Sequence, residues 1–328
     1  MKVPATGLVL LDNSTLSDYQ HCARRYWWRH EMSLAPGFPS IALGFGLAYH
    51  EAMDVAYTWL QANPGQPFTQ DIVNRARIKA RESYALHVPE DAALTEELRT
   101  SGKLDSLLVK YFKQYAHEPF TVLGTEQSFA LALTATGHAG VITDAPGPEV
   151  LDWAADMQRD GLDPVLLWIG RMDLVVDWSG IRTIDHKTTS AMGANWAKQW
   201  SPNTQFAGYI AVLEQLYDHH RVNGAVINGV QVAKTLSAMV RHPTTRRPDE
   251  LAEFHRTVTT WARHIQADTV YPMNTTSCTA YGECPYRQLC LRFPAAPCQD
   301  KNLLLASVGT EYKIETWSPL DRAAIPGG

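Results

Sequence analysis

The chain has 328 residues, 45% hydrophobic and 19% charged, an ordinary globular balance with enough apolar material for a substantial core. Length alone allows one large domain or two smaller ones. No apolar run reaches the roughly 18 residues of a membrane span, and the start, MKVPATGLVLLDNSTLSDYQ, lacks a secretory layout, so a cytoplasmic protein with no membrane partner is expected. The net charge of −5 weighs against a protein that coats nucleic acid along its length. It weighs less against a locally basic groove completed by a bound cation.

In chain order, residues 14–32 read as a helix capped by Ser14 or Thr15. Residues 41–61 read as a second helix, ending near Asn63-Pro64-Gly65. Two more helices are expected at 69–87 and 91–117, with a turn at Val88-Pro89 between them. Residues 120–133 are rich in β-branched and apolar types and read as a strand, with a bulge at Gly124. A Gly/Pro/Asp-rich connection with one helical turn is expected over 143–163. Strands 165–178 and 181–187 then form a hairpin around Ser179-Gly180. An amphipathic helix over 204–220 and a strand over 224–234 follow. Leu251, Phe254, Val258, Trp261 and Ile265 recur at steps of three and four, a core-facing helical stripe within 249–266. A cysteine-rich loop and a tail over 299–328 with little periodicity close the chain. There is no internal repeat, no low-complexity tract and no GxxxxGK[ST] phosphate loop.

The most informative stretch is GRMDLVVDW-SG-IRTIDHKTTS. Asp173 and Asp185 lie on successive strands of one hairpin. Lys187 follows Asp185 by two residues, so both point to the same face while Ile184 points to the core. A solvated surface ion pair, which contributes little, would account for Asp185 and Lys187 alone. Phosphodiester hydrolysis gives a sharper reason. It needs carboxylates to hold a hard cation such as Mg²⁺ or Mn²⁺, an activated water and positive charge near the developing phosphorane.

Asp173…Asp185-His186-Lys187 resembles the core motif of PD-(D/E)XK nucleases, and more narrowly the RecB-like exonuclease branch in the form G-R-x-D-(hairpin)-D-x-K-T. His50 in GFGLAYHEAMD matches that branch's upstream helix histidine, which supplies a further metal ligand. Gln205 and Tyr209 match its Q-x-x-x-Y helix, which contacts DNA. Glu126 lies on the strand before the hairpin, where the branch often carries an acidic residue, and is counted with Asp173, Asp185 and Lys187 in the catalytic set. Each piece also has a plainer explanation. D-x-K recurs by chance, His50 could be a structural histidine, and Gln205 and Tyr209 could simply pack along one helix face. His186 is read as pointing away from the site. The family's sequence order, met in full, is what carries the resemblance.

Five cysteines in a chain read as cytosolic point to a metal site rather than disulfides. Cys278, Cys284 and Cys290 are separated by five residues each, and Cys22 lies far upstream. Zinc sites usually pair cysteines two to four residues apart, a pattern this spacing fits poorly. One N-terminal and three C-terminal cysteines around a nuclease core resemble the iron–sulfur nucleases, including CRISPR-associated RecB-like exonucleases. The resemblance implies a [4Fe–4S] cluster on four thiolates, with the first C-terminal gap wider than in many relatives. Zinc and plain buried cysteines remain the alternatives, and Cys298 is read as a spare thiol. Joining residue 22 to the C-terminal loop would stabilise the fold by several kcal/mol, by analogy with long disulfide loops (~4–5 kcal/mol).

Arg24 and Arg25, interleaved with Tyr26, Trp27 and Trp28, suit single-stranded DNA, although an amphipathic helix with core aromatics and solvated arginines is the reading favoured for the aromatics. Trp196, Lys198 and Trp200 share that ambiguity. The expected fold is α/β, a PD-(D/E)XK restriction-endonuclease-like core with a mixed central sheet flanked by helices. A single domain over 1–328 would hold a helical region at 41–117, a catalytic core at 120–235 and a cluster region formed by 14–32 with 270–298. The expected function is a Mg²⁺- or Mn²⁺-dependent DNA exonuclease on single strands or ends. Recombination, repair or CRISPR-adaptation proteins are partners by family analogy alone. The rival reading is a non-catalytic DNA-binding scaffold with a decayed site.

Overall fold

The structure, a computed structural model, describes residues 2–3, 8–37, 40–143, 147, 149–235, 237–280 and 283–316. The chain opens with strands β1 (Lys2–Val3) and β2 (Leu8–Leu11), then helix α1 (Asn13–His21), the short α2 (Ala23–Tyr26) and a π-helical turn at Trp27–Glu31. The helix expected over 14–32 is therefore broken. Cys22 takes extended dihedrals (φ −166°, ψ 116°) between α1 and α2. The cap is not Ser14 or Thr15 but Asp12, whose Oδ1 accepts from the Thr15 amide at 2.6 Å, the usual role of a carboxylate facing unpaired first-turn amides.

Strand β3 (Leu34–Pro36) leads to α3 (Ile41–Ala62), capped by Ser40, and α4 (Gln70–His87), capped by Thr69. The helix expected over 91–117 is two pieces, α5 (Glu90–Thr95) and α6 (Ser101–Gln114), because Thr100 starts a new cap by accepting from the Lys103 amide. Strands β4 (Thr121–Leu133) and β5 (His138–Thr143) form a hairpin. The ladder slips between Val122 and Gly124, at the expected bulge. α7 (Glu149–Arg159) fills the connection with three turns where one was expected. Part of that connection, 144–146 and 148, lies outside the described residues.

Strands β6 (Leu166–Asp177) and β7 (Ile181–Thr189) meet at the expected turn, where Ser179 and Gly180 take φ of 51° and 116°. α8 (Thr204–Leu216), β8 (Val222–Gln231), β9 (Met239–Thr244) and α9 (Pro248–Ala267) follow. Of the α9 stripe, Leu251, Phe254, Val258 and Ile265 are buried, and Trp261 is half-buried. α10 (Arg287–Arg292), α11 (Lys301–Ser307) and β10 (Tyr312–Ile314) close the chain. The tail thus has more order than its sequence suggested, since β10 pairs with β3. Residues 317–328 of that tail lie outside the described residues.

The main sheet is mixed, in the order β1-β2-β6-β7-β8-β9, with β4 on the other edge of β6 and β5 beyond it. Pairing is parallel for β2 with β6 and for β7 with β8, and antiparallel elsewhere. Two large apolar clusters cover it. One joins α1, α8 and α9 to sheet residues such as Phe129, Trp168 and Ile227, and the other joins α3, α4 and α6 to Leu174, Ile184 and Val226. The architecture is α/β with helices on both faces, the arrangement expected for this sheet type. No helix among the described residues is long and apolar enough to cross a membrane.

Candidate functional site

The cleft owes its existence to a gap in strand pairing. β4 pairs with β6 along its length, so β2 and β7 must share the opposite edge. β2 pairs with residues 166–168 and β7 with residues 174–177. Residues 169–173 have no strand partner on that edge among the described residues. Their polar groups face a depression of about 440 Å³ instead, lined by Gly170, Arg171, Asp173, Asp185, Lys187 and Gln205 among others.

Side chains take over the broken ladder. The His186 amide on β7 donates to Asp173 Oδ2 at 2.7 Å, where continued pairing would have offered a backbone carbonyl. Tyr209 OH donates to the Arg171 carbonyl at 2.8 Å, so a second unpaired main-chain group is satisfied from α8. Across β6, Glu126 lies opposite Asp173, between the pairs Thr125↔Leu174 and Gln127↔Met172. Glu126 sits at φ 46°, a left-handed conformation that costs a non-glycine residue about 1–3 kcal/mol and clusters at functional sites.

α3 brings His50 over this point. Its Nδ1 lies 3.3 Å from Asp173 Oδ2, and one ligand atom each from His50, Glu126 and Asp173 fall within 4.8 Å of one another. Glu126 also pairs with Arg171, Oε2 to Nε at 2.7 Å. Asp185, 1% exposed, has Oδ2 2.6 Å from Lys187 Nζ and accepts from Gln205 Nε2 at 3.0 Å through Oδ1. Gln205 Nε2 also contacts Tyr209 OH at 2.9 Å. Asn203 caps α8 by accepting from the Gln205 and Phe206 amides, which fixes where both residues emerge.

These carboxylates stand in mutual electrostatic conflict. Burial pushes Glu126 up, and Asp173 opposite adds to it, to about 7. Burial also raises Asp185, against the pull of Lys187. Burial opposes the charged form of Asp173 too, but His50 and its neighbours outweigh it and hold that carboxyl below its usual range. For His50 burial lowers and Asp173 raises the value, and the carboxylate wins. Three carboxyl groups and an imidazole in one partly enclosed cleft are a donor set that suits a hard divalent ion, Mg²⁺ or Mn²⁺. A positive ion there would relieve the repulsion that raises Glu126.

The tightest ligand group differs from the expected one. Glu126, with Asp173, completes the group around His50, whereas Asp185 is held by Lys187 and Gln205. Gln205 and Tyr209 are bonded to the site's own residues, so positioning Asp185 and the β6 backbone is the contact they make. His186 points away, as expected. It is 1% exposed and meets Asn228 Nδ2 through Nδ1 at 2.8 Å, and burial lowers it to about 3. Arg24 differs from its expected DNA contact. It is 5% exposed and donates to the carbonyls of Tyr271 and Pro294, both at 3.0 Å. Arg25 pairs with Asp18 at 2.7 Å and is partly exposed. Trp196 and Trp200 are core residues. Arg171 lies in the GRMD stretch, and the β4–β6 register, not local spacing, brings it to Glu126.

Cys22, Cys278, Cys284 and Cys290 gather where the N-terminal helices meet the C-terminal loop. The Asn274 amide donates to Cys22 Sγ and Trp28 Nε1 donates to Cys290 Sγ, both at 3.3 Å. The Cys284 amide donates to the Cys278 carbonyl at 2.9 Å. Burial raises Cys284, where Cys22 and Cys278 add to the effect, and burial likewise raises Cys290, with Cys22 and Cys284 adding. Sulfurs around one tetrahedral zinc stand about 3.8 Å apart, given bonds of ~2.3 Å. Among the described residues no three cysteine sulfurs come within 4.8 Å of one another. Cys298 is exposed.

A mixed sheet with helices on both faces and a gap that gathers His50, Glu126, Asp173 and Asp185 beside Lys187 defines an α/β protein with a carboxylate-rich cleft. The sequence model of the PD-(D/E)XK nuclease superfamily matches residues 13–291, and the chain belongs to that superfamily. Its members are usually nucleases that use divalent metals such as Mg²⁺ or Mn²⁺, and a nuclease implies a nucleic-acid substrate, DNA. No curated protein matches the chain.

Proposed function

We propose that the protein is a divalent-metal-dependent DNA exonuclease acting on single strands or strand ends, with Asp173, Asp185, Glu126 and His50 as its acidic and imidazole donors and Lys187 as its catalytic cation. The observation that carries this reading is the convergence of His50, Glu126 and Asp173 within 4.8 Å, beside the Asp185–Lys187 pair at 2.6 Å. A bound Mg²⁺ or Mn²⁺ would supply a lowered water pKa and a clamp on the scissile phosphate. The protein's own groups do the rest. Lys187, anchored by Asp185, orients the attacking water and offsets charge growing on the phosphate oxygens. Gln205 and Tyr209 fix Asp185 and the Arg171 carbonyl, so the site is held in place before substrate arrives. Arg171 holds Glu126 by its second oxygen.

Release of label from 5′- and 3′-labelled single and double strands, with Mn²⁺, Mg²⁺ or chelator, tests the reading. Metal-dependent loss of end label that disappears in Asp185→Asn and Lys187→Ala supports it. Undiminished cleavage by either folded variant defeats the assignment, and internal cutting of closed circles defeats the exonuclease part.

The same proposal includes a [4Fe–4S] cluster on Cys22, Cys278, Cys284 and Cys290. Two N–H donors already aimed at sulfur support it, since such bonds stabilise thiolates and tune clusters. A brown anaerobic preparation holding about four irons and four sulfides per chain is the expected result. A colourless preparation with one zinc overturns it.

A further inference from the structure

The α3 stripe that carries His50 also carries Leu43 and Leu47, spaced three and four residues apart and lining the same cleft. Both are unusually open for leucine, at 56% and 38% exposure. We propose that Leu43 and Leu47 form the base-receiving wall of the cleft, against which the unstacked bases of a single DNA strand lie next to the phosphate at His50. This inference rests on the nuclease reading and deepens it by naming what selects single strands.

Helix geometry sets the spacing. At ~1.5 Å per residue, Leu47 stands about 4.5 Å and Leu43 about 10.5 Å along α3 from His50. Unstacked nucleotides advance further than the ~3.4 Å per nucleotide of a duplex strand, so the two leucines span at most about the first three nucleotides beside the cut. The rest of the lining includes polar groups, among them Asn13 and Ser14 at the start of α1 and Lys187 on β7. Polar groups beside an exposed apolar stripe suit a strand that offers phosphates to the one and bases to the other. The cleft, about 440 Å³, falls in the ~300–1,000 Å³ range that takes a single small organic group. Leucine is among the residues that wedge between base steps and unstack them, and bases are sequence-tolerant apolar partners. A protein partner seated on these leucines would cover the carboxylates that line the same cleft, so continuity with the candidate site favours the substrate itself.

The test is fluorescence anisotropy and cleavage with the full chain, comparing the protein with Leu43→Ala/Leu47→Ala. The probes are a labelled oligothymidine strand and the same strand with abasic residues at the three terminal positions. The variant is expected to bind the base-bearing strand about 10-fold more weakly and the abasic strand with the same affinity as the unaltered protein. In cleavage the loss should appear in KM rather than in kcat. Equal weakening on both strands, or no weakening on the base-bearing one, overturns the wall. If the unaltered protein releases no label with Mn²⁺, the nuclease reading fails by itself. The anisotropy comparison needs no cleavage, so it still decides whether the leucines receive bases.

Discussion

Replacing Gly208 by alanine tests whether the docking of α8 sets the site. A Cβ there would lie 2.3 Å from Trp168 Nε1 and 3.1 Å from two further ring atoms. Comfortable contacts are near 3.5 Å, so ring or helix must give by about 1.2 Å. The ring cannot give easily. Trp168 is 1% exposed, its strand is paired to Leu11 on one side and Leu131 on the other, and Phe254 packs edge-on at 5.5 Å. Helix α8 must move instead. Alanine returns ~1 kcal/mol of helix propensity, while overpacking costs ~1–3 kcal/mol. With the ring locked, the cost lies at the upper end of that range, and a net loss of up to about 2 kcal/mol is expected. A movement near 1 Å would stretch the Gln205–Asp185 bond from 3.0 Å beyond hydrogen-bond range, and such misplacement can lower catalysis about 100-fold. Urea titration should show the midpoint falling by up to roughly 0.7 M for a slope near 3 kcal/mol/M, alongside a matching drop in label release. A variant with an unshifted midpoint and full activity would refute the claim that α8 is held against Trp168.

Glu126→Gln should weaken Mn²⁺ binding by about 10-fold in calorimetry, since a charged ligand becomes neutral; unchanged affinity would remove Glu126 from the donor set. Arg24→Ala should destabilise by ~2–4 kcal/mol, because two carbonyls lose a buried cationic donor. A normal melting temperature combined with poor DNA binding would restore its DNA-contact role. Asp105 receives both Arg77 at 2.8 and 2.7 Å and Arg81 at 2.7 Å, and these bonds, Arg77 first, lower its pKa. The stability it contributes is therefore present above the ordinary carboxylate range and lost as pH falls through the lowered value. Asp105→Asn should cost about 0.5–1 kcal/mol near pH 7, with the gap from the unaltered protein closing in strong acid. A gap that stays constant with pH would mean the charge is not what stabilises the α4–α6 contact.

Much of the site could be read in the chain because its parts are local. Asp185 and Lys187 share a face by strand alternation, and the Ser179-Gly180 turn returns Asp173 beside them. Gln205 and Tyr209 share a helix face. Boundaries were less legible where tertiary partners override local preference. Cys22 interrupts a good helical pattern, and its extended backbone sets its sulfur against the Asn274 amide, while Asp12 captures a cap that Ser14 or Thr15 could have taken. β2 is an apolar run of four residues, too short to tell a strand from a helix by periodicity, and β9, MVRHPT, carries Arg241, His242 and Pro243 and shows no strand-like alternation.

The residue order alone determined the superfamily motif, the hairpin, the α9 core stripe and the clustering of three cysteines, because each depends on spacings of a few residues that helix and strand periods convert directly into shared faces. Only the folded chain decided that Glu126 stands opposite Asp173, that β2 and β7 leave residues 169–173 of β6 without a strand partner between them, and that Arg24 is spent on backbone carbonyls. Those outcomes follow from pairing registers and burial between segments tens to hundreds of residues apart, and no local periodicity encodes which distant segment will supply the partner.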